Sequence, residues 1–579
     1  LYKQIDDIPL GTLQALLNVI MFRSFVTSVP SKMTKLRNDA NEDIFAVEDI
    51  QNIDTCYLAC NGAVYVTNKV YSPADYASVA APAYISKTNL IMKWAIYNGS
   101  VESSDKMKLN YYAYLKAMKS RFTLFLPSDE AMKRYYDPVS FTSQKPRVLS
   151  LTFTGKDDTW DPSQRNAYKL LRFDPNTATQ GDAYTNETMV EDEIVNRLKD
   201  VLESHTIVHD GTNPIDSENE YYITKNGSAI KVTRDAENNI ISVQGGYQLE
   251  NERAGIVNGS QGTLAVAVTP EQTYNMDNGR TYVIDDSPII PPSKSVYSIL
   301  TKTTDDAGQS AFEDFFNLTQ PSSEIIRACG LVDGSLTSDV QDRLEKKYMT
   351  FIDDGGVDYN VQFFNNYRYT IFVPTKAALD NAVAHGLPTW ETIQNDYDAI
   401  PSYKELADSI VDDEGKALQY FVPNHYTLSD GTTVKDTIWV RDADMADNEK
   451  HCLLHANSLR LQAEITYLNN FLRGHFLDNS VFADKGELAT QDFVPSTYTP
   501  SLGVFVKVHV RRVKNGGKTQ LLVCDDNGGA EYAATDLCNI MARDISCTRN
   551  SKTTTPTGLA SMNNVLIQGS SFAVIHQID

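Results

Sequence analysis

Two stretches of the sequence follow one pattern, Arg121-Phe-Thr-Leu-Phe-Leu-Pro-Ser-Asp-Glu-Ala-Met132 and Arg368-Tyr-Thr-Ile-Phe-Val-Pro-Thr-Lys-Ala-Ala-Leu379. In each stretch, alternating apolar residues predict a β-strand that ends at Pro. Ser128 or Thr375 then stands where its hydroxyl can cap a following helix, by accepting from free backbone N–H groups. A pattern that recurs in this way indicates internal repeats, which decide the architecture of the whole chain.

A second element also recurs. It reads Asn61-Gly-Ala-Val-Tyr-Val-Thr-Asn-Lys-Val-Tyr-Ser-Pro73 and Asn278-Gly-Arg-Thr-Tyr-Val-Ile-Asp-Asp-Ser-Pro288, with a weaker version at Gly569–Asp579 that lacks Asn-Gly. Asn-Gly predicts a tight turn in which Gly supplies a positive φ. A β-branched and aromatic strand follows, and Pro closes the element.

A third element lies between the first two. It runs from Leu198 to Asp210, which includes His205 and His209, and again from Ala417 to Asp430, which includes His425 and Tyr426. The segment Leu13–Val26 holds the same relative place near the start of the chain. Each version predicts the end of a helix that runs into a strand.

The order of the elements predicts two full copies of one domain after a partial copy. The start of the chain holds only the third and second elements, whereas the middle and the end hold all three. We therefore expect the C-terminal half of a domain at 1–82, a full domain at 83–292 and a full domain at 293–579, with a proline-rich junction at 288–292. Half a domain cannot bury a core alone, so we expect an interface near the start of the chain as well.

The three elements, in this order, resemble the fasciclin domain family. Thr123–Ala131 is similar to the first conserved box of that family, and Asn61–Pro73 and Asn278–Pro288 are similar to the second. The segments around His205 and His425 look like the central region, in which many members carry a Tyr-His pair.

The resemblance implies an α+β fold of tandem domains, each with a β-sandwich-like or wedge-shaped sheet core and a helical layer. The copies are longer than family domains usually are, so we expect insertions from Lys145 to Glu191, from Gly330 to Asn366 and from Arg441 to Pro556. The resemblance also implies a surface location and a role in adhesion. Bacterial forms with several copies look like Bacteroidetes-type surface lipoproteins, some of which work beside starch-utilisation-like (SusC/SusD-like) outer-membrane transporters.

Composition excludes several classes of protein. The 579 residues include 75 acidic and 52 basic ones, a net charge of −23, so nucleic acid and anionic membrane surfaces should repel the chain. No stretch reaches the roughly 18 apolar residues that a membrane helix needs.

Seven Cys without a CxxC pair argue against zinc ribbons and leave disulfide pairing open. The chain opens at Leu1 without a signal peptide, which is typical of a processed or partial product, with a lipid anchor left open upstream.

Metal and catalytic signals are weak. His451 and His455 stand four apart, but a surface pair beside a buried Cys452 is the favoured reading. The acidic clusters at 157–161 and 442–447 read as solvated loops, because the second has Asp447 where a calcium loop needs Gly. We therefore predict no metal or cofactor and leave only calcium open. The sequence also lacks the Gly-x-Ser-x-Gly nucleophile motif.

The sequence therefore predicts a surface binding protein and not an enzyme. We expect an exported adhesion or scaffold protein at the outer membrane, which contacts another protein, a transporter assembly or a polysaccharide. The alternatives are a dedicated glycan-binding protein for nutrient uptake and a hydrolase with its site at 441–556. The candidate binding residues are those of the central segments, one tryptophan in the first insertion and one just before the last: His205, His209, His425, Tyr426, Trp160 and Trp439.

Overall fold

The structure is a computed structural model of the chain. It describes residues 51–60, 62–68, 74–97, 109, 111–141, 145–155, 160–209, 215, 219–256, 265–303, 311–329, 331–332, 336–353, 357–362, 368–399, 421–427, 433–439, 455–486, 493–495, 507–515, 518–525, 530–549 and 565–579, with positions 4, 6, 10 and 13 near the start. These residues fall into two compact units. Unit 1 holds Leu1–Ser293 and Cys547–Gly569, and unit 2 holds Lys294–Ser546 and Ser570–Asp579.

Unit 1 contains strands and helices in alternating groups. In chain order they are β1 (Ile53–Ala59), β2 (Gly62–Thr67), α1 (Ala74–Ala77), α2 (Ala81–Ile85), α3 (Leu90–Tyr97), α4 (Tyr111–Leu115), β3 (Arg121–Pro127), β4 (Tyr135–Tyr136), β5 (Arg147–Leu151), β6 (Tyr168–Asp174), β7 (Thr179–Ala183), α5 (Glu191–Ser204), β8 (Thr206–His209), β9 (Tyr221–Ile223), β10 (Ala229–Arg234), β11 (Ile240–Gly245), α6 (Gly246–Arg253), β12 (Val266–Ala267), β13 (Thr273–Met276) and β14 (Gly279–Ile284).

Unit 2 follows the same general plan. Its elements are α7 (Val296–Lys302), α8 (Glu313–Leu318), α9 (Ser323–Ala328), α10 (Ser338–Glu345), β15 (Phe351–Ile352), β16 (Asn360–Val361), β17 (Arg368–Pro374), α11 (Lys376–Ala384), α12 (Trp390–Asp398), β18 (Phe421–Thr427), β19 (Thr433–Trp439), α13 (His455–Gly474), β20 (Phe476–Asp478), β21 (Phe493–Pro495), β22 (Lys507–Asn515), β23 (Lys518–Asp525), β24 (Tyr532–Ala533), β25 (Ile540–Arg549) and β26 (Val565–Ile578). Residues 547–549 and 565–569 of the last two strands are counted with unit 1.

The central sheet of unit 1 has the order β13-β14-β3-β8. Strand β3 is apolar on both faces because both faces are covered. Phe122, Leu124 and Leu126 pack into a core with helices α2 to α5, while Phe125 packs into a second core with the sheet β12-β11-β10-β9. Unit 1 is therefore a sheet sandwich with a helical layer on one side.

Unit 2 repeats this arrangement around the sheet β20-β17-β26-β25. Tyr369, Ile371 and Val373 of β17 join the core formed with the helices, whereas Phe372 faces the core formed with the sheet β21-β22-β23-β24. The predicted α+β class, with a sandwich-like sheet core and a helical layer, is therefore confirmed.

The two copies of the first element differ after their shared proline. Thr375 caps α11 as predicted, because its Oγ1 accepts from the backbone N–H of Ala378 at 3.3 Å. Ser128 Oγ likewise accepts from the backbone N–H of Ala131 at 3.3 Å, but the helix that follows it is shorter than predicted. A short 3₁₀ turn at Ala131–Arg134 stands there, since β4 begins at Tyr135 and leaves no room for a longer helix.

Residues 74–82, which the sequence predicts as the end of the partial first copy, contact the predicted second copy. Val79 and Ala80 are buried in the helical core of unit 1. The side chain of Asn278 accepts from the backbone N–H of Val79 at 2.8 Å, and Thr281 donates to the Val79 carbonyl at 2.7 Å. Apart from residues 74–82, the structure describes mainly the hairpin of β1 and β2 within the predicted first copy.

Candidate interaction surface

His205, the first candidate binding residue, follows α5 directly, so the predicted step from helix to strand is present. Its ring is buried. Nδ1 lies 2.7 Å from the Val201 carbonyl, and Nε2 accepts from the backbone N–H of Ile289 at 2.8 Å. Burial lowers the pKa of His205 to about 4, which keeps the ring neutral. His205 therefore joins the end of α5 to residue 289 and offers no accessible nitrogen to a ligand.

His209 lies four residues further along β8 and is only partly buried. Its Nε2 is 2.9 Å from Thr123 Oγ1, and its ring meets Tyr222 edge-on at 6.3 Å between ring centres. Burial lowers the pKa of His209 to about 4. Of the two histidines of this segment, His209 alone keeps part of its surface open to a partner.

Trp160 was expected to stack on a ligand from an insertion loop. It is instead buried in the helical core, edge-on against Trp94 with 5.1 Å between ring centres, and its indole N–H donates to the Thr152 carbonyl at 3.2 Å. Since both ring faces and the polar tip are engaged within unit 1, Trp160 presents no face to a sugar ring in this structure.

His425, Tyr426 and Trp439 lie on one β-hairpin. Strand β18 pairs antiparallel with β19, which places Trp439 opposite Phe421 and Lys435 opposite His425. The structure describes the backbone of this hairpin, so these three residues keep the status of predictions.

The hairpin of β1 and β2 carries the large apolar surface that the residue patterns did not single out. Tyr57 and Leu58 of β1 are 62% and 82% exposed, and Val64 and Val66 of β2 are 58% and 43% exposed. Tyr57 pairs with Val64, so these two side chains and Val66 share one face of the hairpin. Leu58, which pairs with Ala63, lies on the opposite face. We call Tyr57, Val64 and Val66 the β1–β2 surface.

The hairpin of β13 and β14 shows that the corresponding face is buried in the second copy of the element. Both hairpins close in the same register, with Ala59 opposite Gly62 and Met276 opposite Gly279. Thr281 and Val283, which correspond to Val64 and Val66, are only 0% and 7% exposed. Tyr274, which corresponds to Tyr57, packs on the helical core. The first hairpin thus exposes the face that its counterpart buries.

The surface lies near the start of the chain, where the order of the repeated elements predicts an interface. Apolar patches that stay exposed are typical of contact sites. The pattern of residues could not name these three side chains, because alternation alone does not tell which face of a lone hairpin is covered.

Metal binding has little support among the described residues. They hold no group of three or more His, Cys, Asp or Glu side chains placed to share an ion. Asp161, from one acidic cluster, closes a turn by accepting from the backbone N–H of Ser163 at 2.9 Å. The cluster at 442–447, His451 and Cys452 lie outside the described residues. In the described part of the chain, no helix is long and apolar enough to cross a bilayer.

Comparison with known proteins finds similarity to solved structures. No protein-family model matches the chain, and no curated protein matches its sequence. The chain is similar to a FAS1 domain pair from the insect cell adhesion molecule Fasciclin I, with 11% identity over 84% of this chain and 94% of that one. The TM-score is 0.19, too low to carry an argument about function.

Proposed function

We propose that this chain is a non-enzymatic adhesion or scaffold protein of the cell surface, which holds another polypeptide through the β1–β2 surface. The observation that supports the proposal is the exposure of Tyr57, Val64 and Val66, on a face whose counterpart in the β13–β14 hairpin is buried. Covering such a face removes apolar area from water, at a gain of roughly 25 cal/mol per Å².

The net charge of −23 favours the same kind of partner. A strongly acidic chain is repelled by nucleic acid and anionic lipid, so a neutral or basic polypeptide is the natural counterpart of an apolar patch on it. The fasciclin-like order of the repeats supports an exported, surface location. The finer proposals are a place beside a SusC/SusD-like outer-membrane transporter and a contact with a polysaccharide.

Surface capture tests the proposal. The purified chain is tethered and exposed to solubilised outer membranes of its source, and bound polypeptides are identified by mass spectrometry. We expect the amount of captured polypeptide to fall at least about tenfold with Tyr57→Ser, since truncating an aromatic hot-spot residue costs roughly 2 kcal/mol or more of binding free energy. A large membrane barrel in that set would support the transporter role.

Tyr467→Ser provides a matched control. Tyr467 is a tyrosine of similar exposure, 57%, on helix α13. Its replacement should leave capture unchanged. Equal loss with both variants would count against the β1–β2 surface. Binding to a soluble glycan panel, with no polypeptide captured, would favour the alternative of a glycan-binding protein.

A further inference from the structure

Helix α5 presents three buried polar side chains to a segment that lies far along the sequence. Glu193, Asn196 and Arg197 are only 1%, 3% and 1% exposed. They contact residues 565–567, the first residues of β26, which belong to unit 1 together with α5. We call residues 565–567 the docked segment. Asn196 and Ile567 stand 371 positions apart, so local sequence does not bring these groups together.

Hydrogen bonds from α5 to the docked segment end on main-chain atoms of that segment. Asn196 Nδ2 donates to the Ile567 carbonyl at 2.9 Å, and Asn196 Oδ1 accepts from the Ile567 N–H at 2.9 Å. Glu193 Oε1 accepts from the Val565 N–H at 3.1 Å, and Arg197 Nη2 donates to the Val565 carbonyl at 3.1 Å. Val565 and Ile567 therefore each give one donor and one acceptor to α5.

This pattern is that of a paired strand edge. In an antiparallel pair, a residue exchanges two N–H···O=C bonds with the residue opposite, and the next such pair lies two residues further on. The Asn196 carboxamide exchanges two bonds with Ile567 as a strand residue would. Glu193 and Arg197, four apart on one face of the helix, do so jointly with Val565. Side chains of α5 thus take the place of a neighbouring strand beside the docked segment.

The three side chains are also held in place by other contacts within unit 1. Glu193 Oε2 accepts from the Val190 N–H at 3.1 Å. Arg197 Nη1 donates to Asn196 Oδ1 at 2.6 Å, and Arg197 Nε donates to Asp137 Oδ1 at 2.8 Å. Little side-chain freedom is therefore lost when a segment docks. An empty site would leave buried polar groups of α5 without these main-chain partners, which costs free energy.

We propose that Glu193, Asn196 and Arg197 form a binding site for an extended polypeptide main chain, with the docked segment as its exchangeable intramolecular ligand. The ligand needs a free N–H at two alternate positions, so proline is excluded from both. Its side chains matter less, because those of Leu566 and Ile567 are only half-buried. An extended segment of a second polypeptide fits the site by the same bonds once the docked segment leaves it. The site shares no residue with the β1–β2 surface and does not rest on the proposed function.

A competing peptide tests the inference. A fluorescent peptide of residues 563–569 is added to the full chain, and its binding is followed by anisotropy. In the double variant Val565→Pro, Ile567→Pro, the docked segment loses both N–H donors, so the site should open and bind the peptide saturably. The wild type should bind the peptide at least about tenfold more weakly, because its own segment competes at a high effective concentration. Equal binding to both proteins, or no binding to the folded Pro variant, would overturn the inference.

A change in α5 shows whether the peptide occupies the same site. Asn196→Leu in the Pro variant should weaken peptide binding at least about tenfold, since it removes both bonds to the Ile567 position. Lys199→Gln is the matched control, because Lys199 is an exposed residue of the same helix. It should leave peptide binding unchanged. Equal weakening by the two changes would contradict the site.

Two altered peptides show what the site recognises. N-methylation at the Val565 and Ile567 positions should abolish binding, because it removes both main-chain donors. Replacing Leu566 and Ile567 by Ser in the peptide should keep its affinity within about fivefold, since half-buried side chains contribute less than a buried anchor. Binding that survives N-methylation, or that is lost with the serines, would overturn recognition of the main chain.

Hydrogen exchange provides a second test, which holds even where the Pro variant does not fold. In Asn196→Leu alone, the Ile567 N–H loses its acceptor, so it should exchange at least about tenfold faster than in the wild type. The N–H groups of β9 to β11 should exchange as before. An unchanged exchange rate at Ile567 would overturn the site.

Discussion

Gly279 lies so close to Phe122 that a Cβ on Gly279 would overlap the Phe122 carbonyl oxygen and stand 2.8 Å from its carbonyl carbon. This contact joins residues 157 positions apart along the chain and begins the parallel pairing of β14 with β3. The Asn278 side chain secures the same point by donating to the Leu115 carbonyl at 2.8 Å.

Gly279→Ala should therefore destabilise unit 1. We expect a loss of roughly 1–3 kcal/mol in the free energy of unfolding, because the methyl group forces two paired backbones apart and because the φ of Gly279, +150°, disfavours Ala. Urea unfolding, with hydrogen exchange of β3 and β14 as the local measure, checks this. Gly62→Ala is the control, because a Cβ there would meet nothing within 4 Å, and we expect it to stay within about 0.5 kcal/mol of the wild type. Equal losses would contradict the difference between the two glycines.

Local patterns predicted the strands well. The runs at 121–127 and 368–374 are strands, as their alternating apolar residues predict. The sequence pattern placed the start of the weaker second element at Gly569. In the structure, Ala573 lies opposite Tyr369 in the same way that Gly279 lies opposite Phe122, so Ala573 corresponds to Gly279. Alternation fixes a strand and its faces, whereas register depends on a distant partner that the local sequence does not contain.

The candidate site was harder to predict than the fold. His205 and Trp160 were singled out because polar and aromatic residues often make contacts, yet both are buried in unit 1. A buried histidine satisfied by Val201 and Ile289 has the same local sequence signal as an exposed one. The exposed hairpin lies near the start of the chain, where the order of the repeated elements predicts an interface.

The contribution of His205 to the stability of unit 1 should fall as the pH drops below the ordinary range of histidine, whereas Asp129, whose pKa burial raises to about 6, acts in the opposite direction. Burial lowers the pKa of His205 from 6.5 to about 4, so between these values the unfolded chain binds a proton that the folded chain does not. The contribution of neutral His205 to the free energy of unfolding is therefore complete above pH 6.5. It is lost progressively as the pH falls toward 4, by up to about 3 kcal/mol. Urea midpoints measured across this range check the prediction.

His205→Gln should be less stable at pH 7 by roughly 1–3 kcal/mol, because the replaced ring no longer serves both Val201 and Ile289. Its stability should also depend less on pH. His209, whose pKa burial likewise lowers to about 4, leaves some pH dependence in the variant. Parallel pH profiles for the wild type and the variant would contradict a buried, neutral His205.

Substitutions at Trp160 test whether this residue belongs to the core or contacts a glycan. Trp160→Ala should cost roughly 3–5 kcal/mol, since it opens a cavity beside Trp94 in the helical core. Trp160→Phe keeps much of the packing and should remain folded, with unchanged behaviour toward any glycan. If the folded Phe variant selectively lost a glycan affinity that the wild type has, the buried placement would be contradicted.

Arg197→Met should be among the most damaging single changes in α5. Asp137 is buried between Arg197 Nε, 2.8 Å from Oδ1, and Arg147 Nε, 3.0 Å from Oδ2. Burial alone would raise the pKa of Asp137, but the two guanidinium groups hold it below its usual value. Removing one of them leaves a buried charge half compensated and also breaks the bond from Arg197 to the Val565 carbonyl, at 3.1 Å. We expect a loss of roughly 3–5 kcal/mol.

Asp137→Asn combined with Arg197→Met should cost less than the sum of the two single variants, because the unpaired carboxylate is gone. Lys133→Met, which removes an exposed ion pair with Glu130, is the control and should change stability by less than about 1 kcal/mol. Denaturant unfolding of the four proteins beside the wild type measures the coupling. Strict additivity would show that Asp137 and Arg197 do not depend on each other, in conflict with their contact.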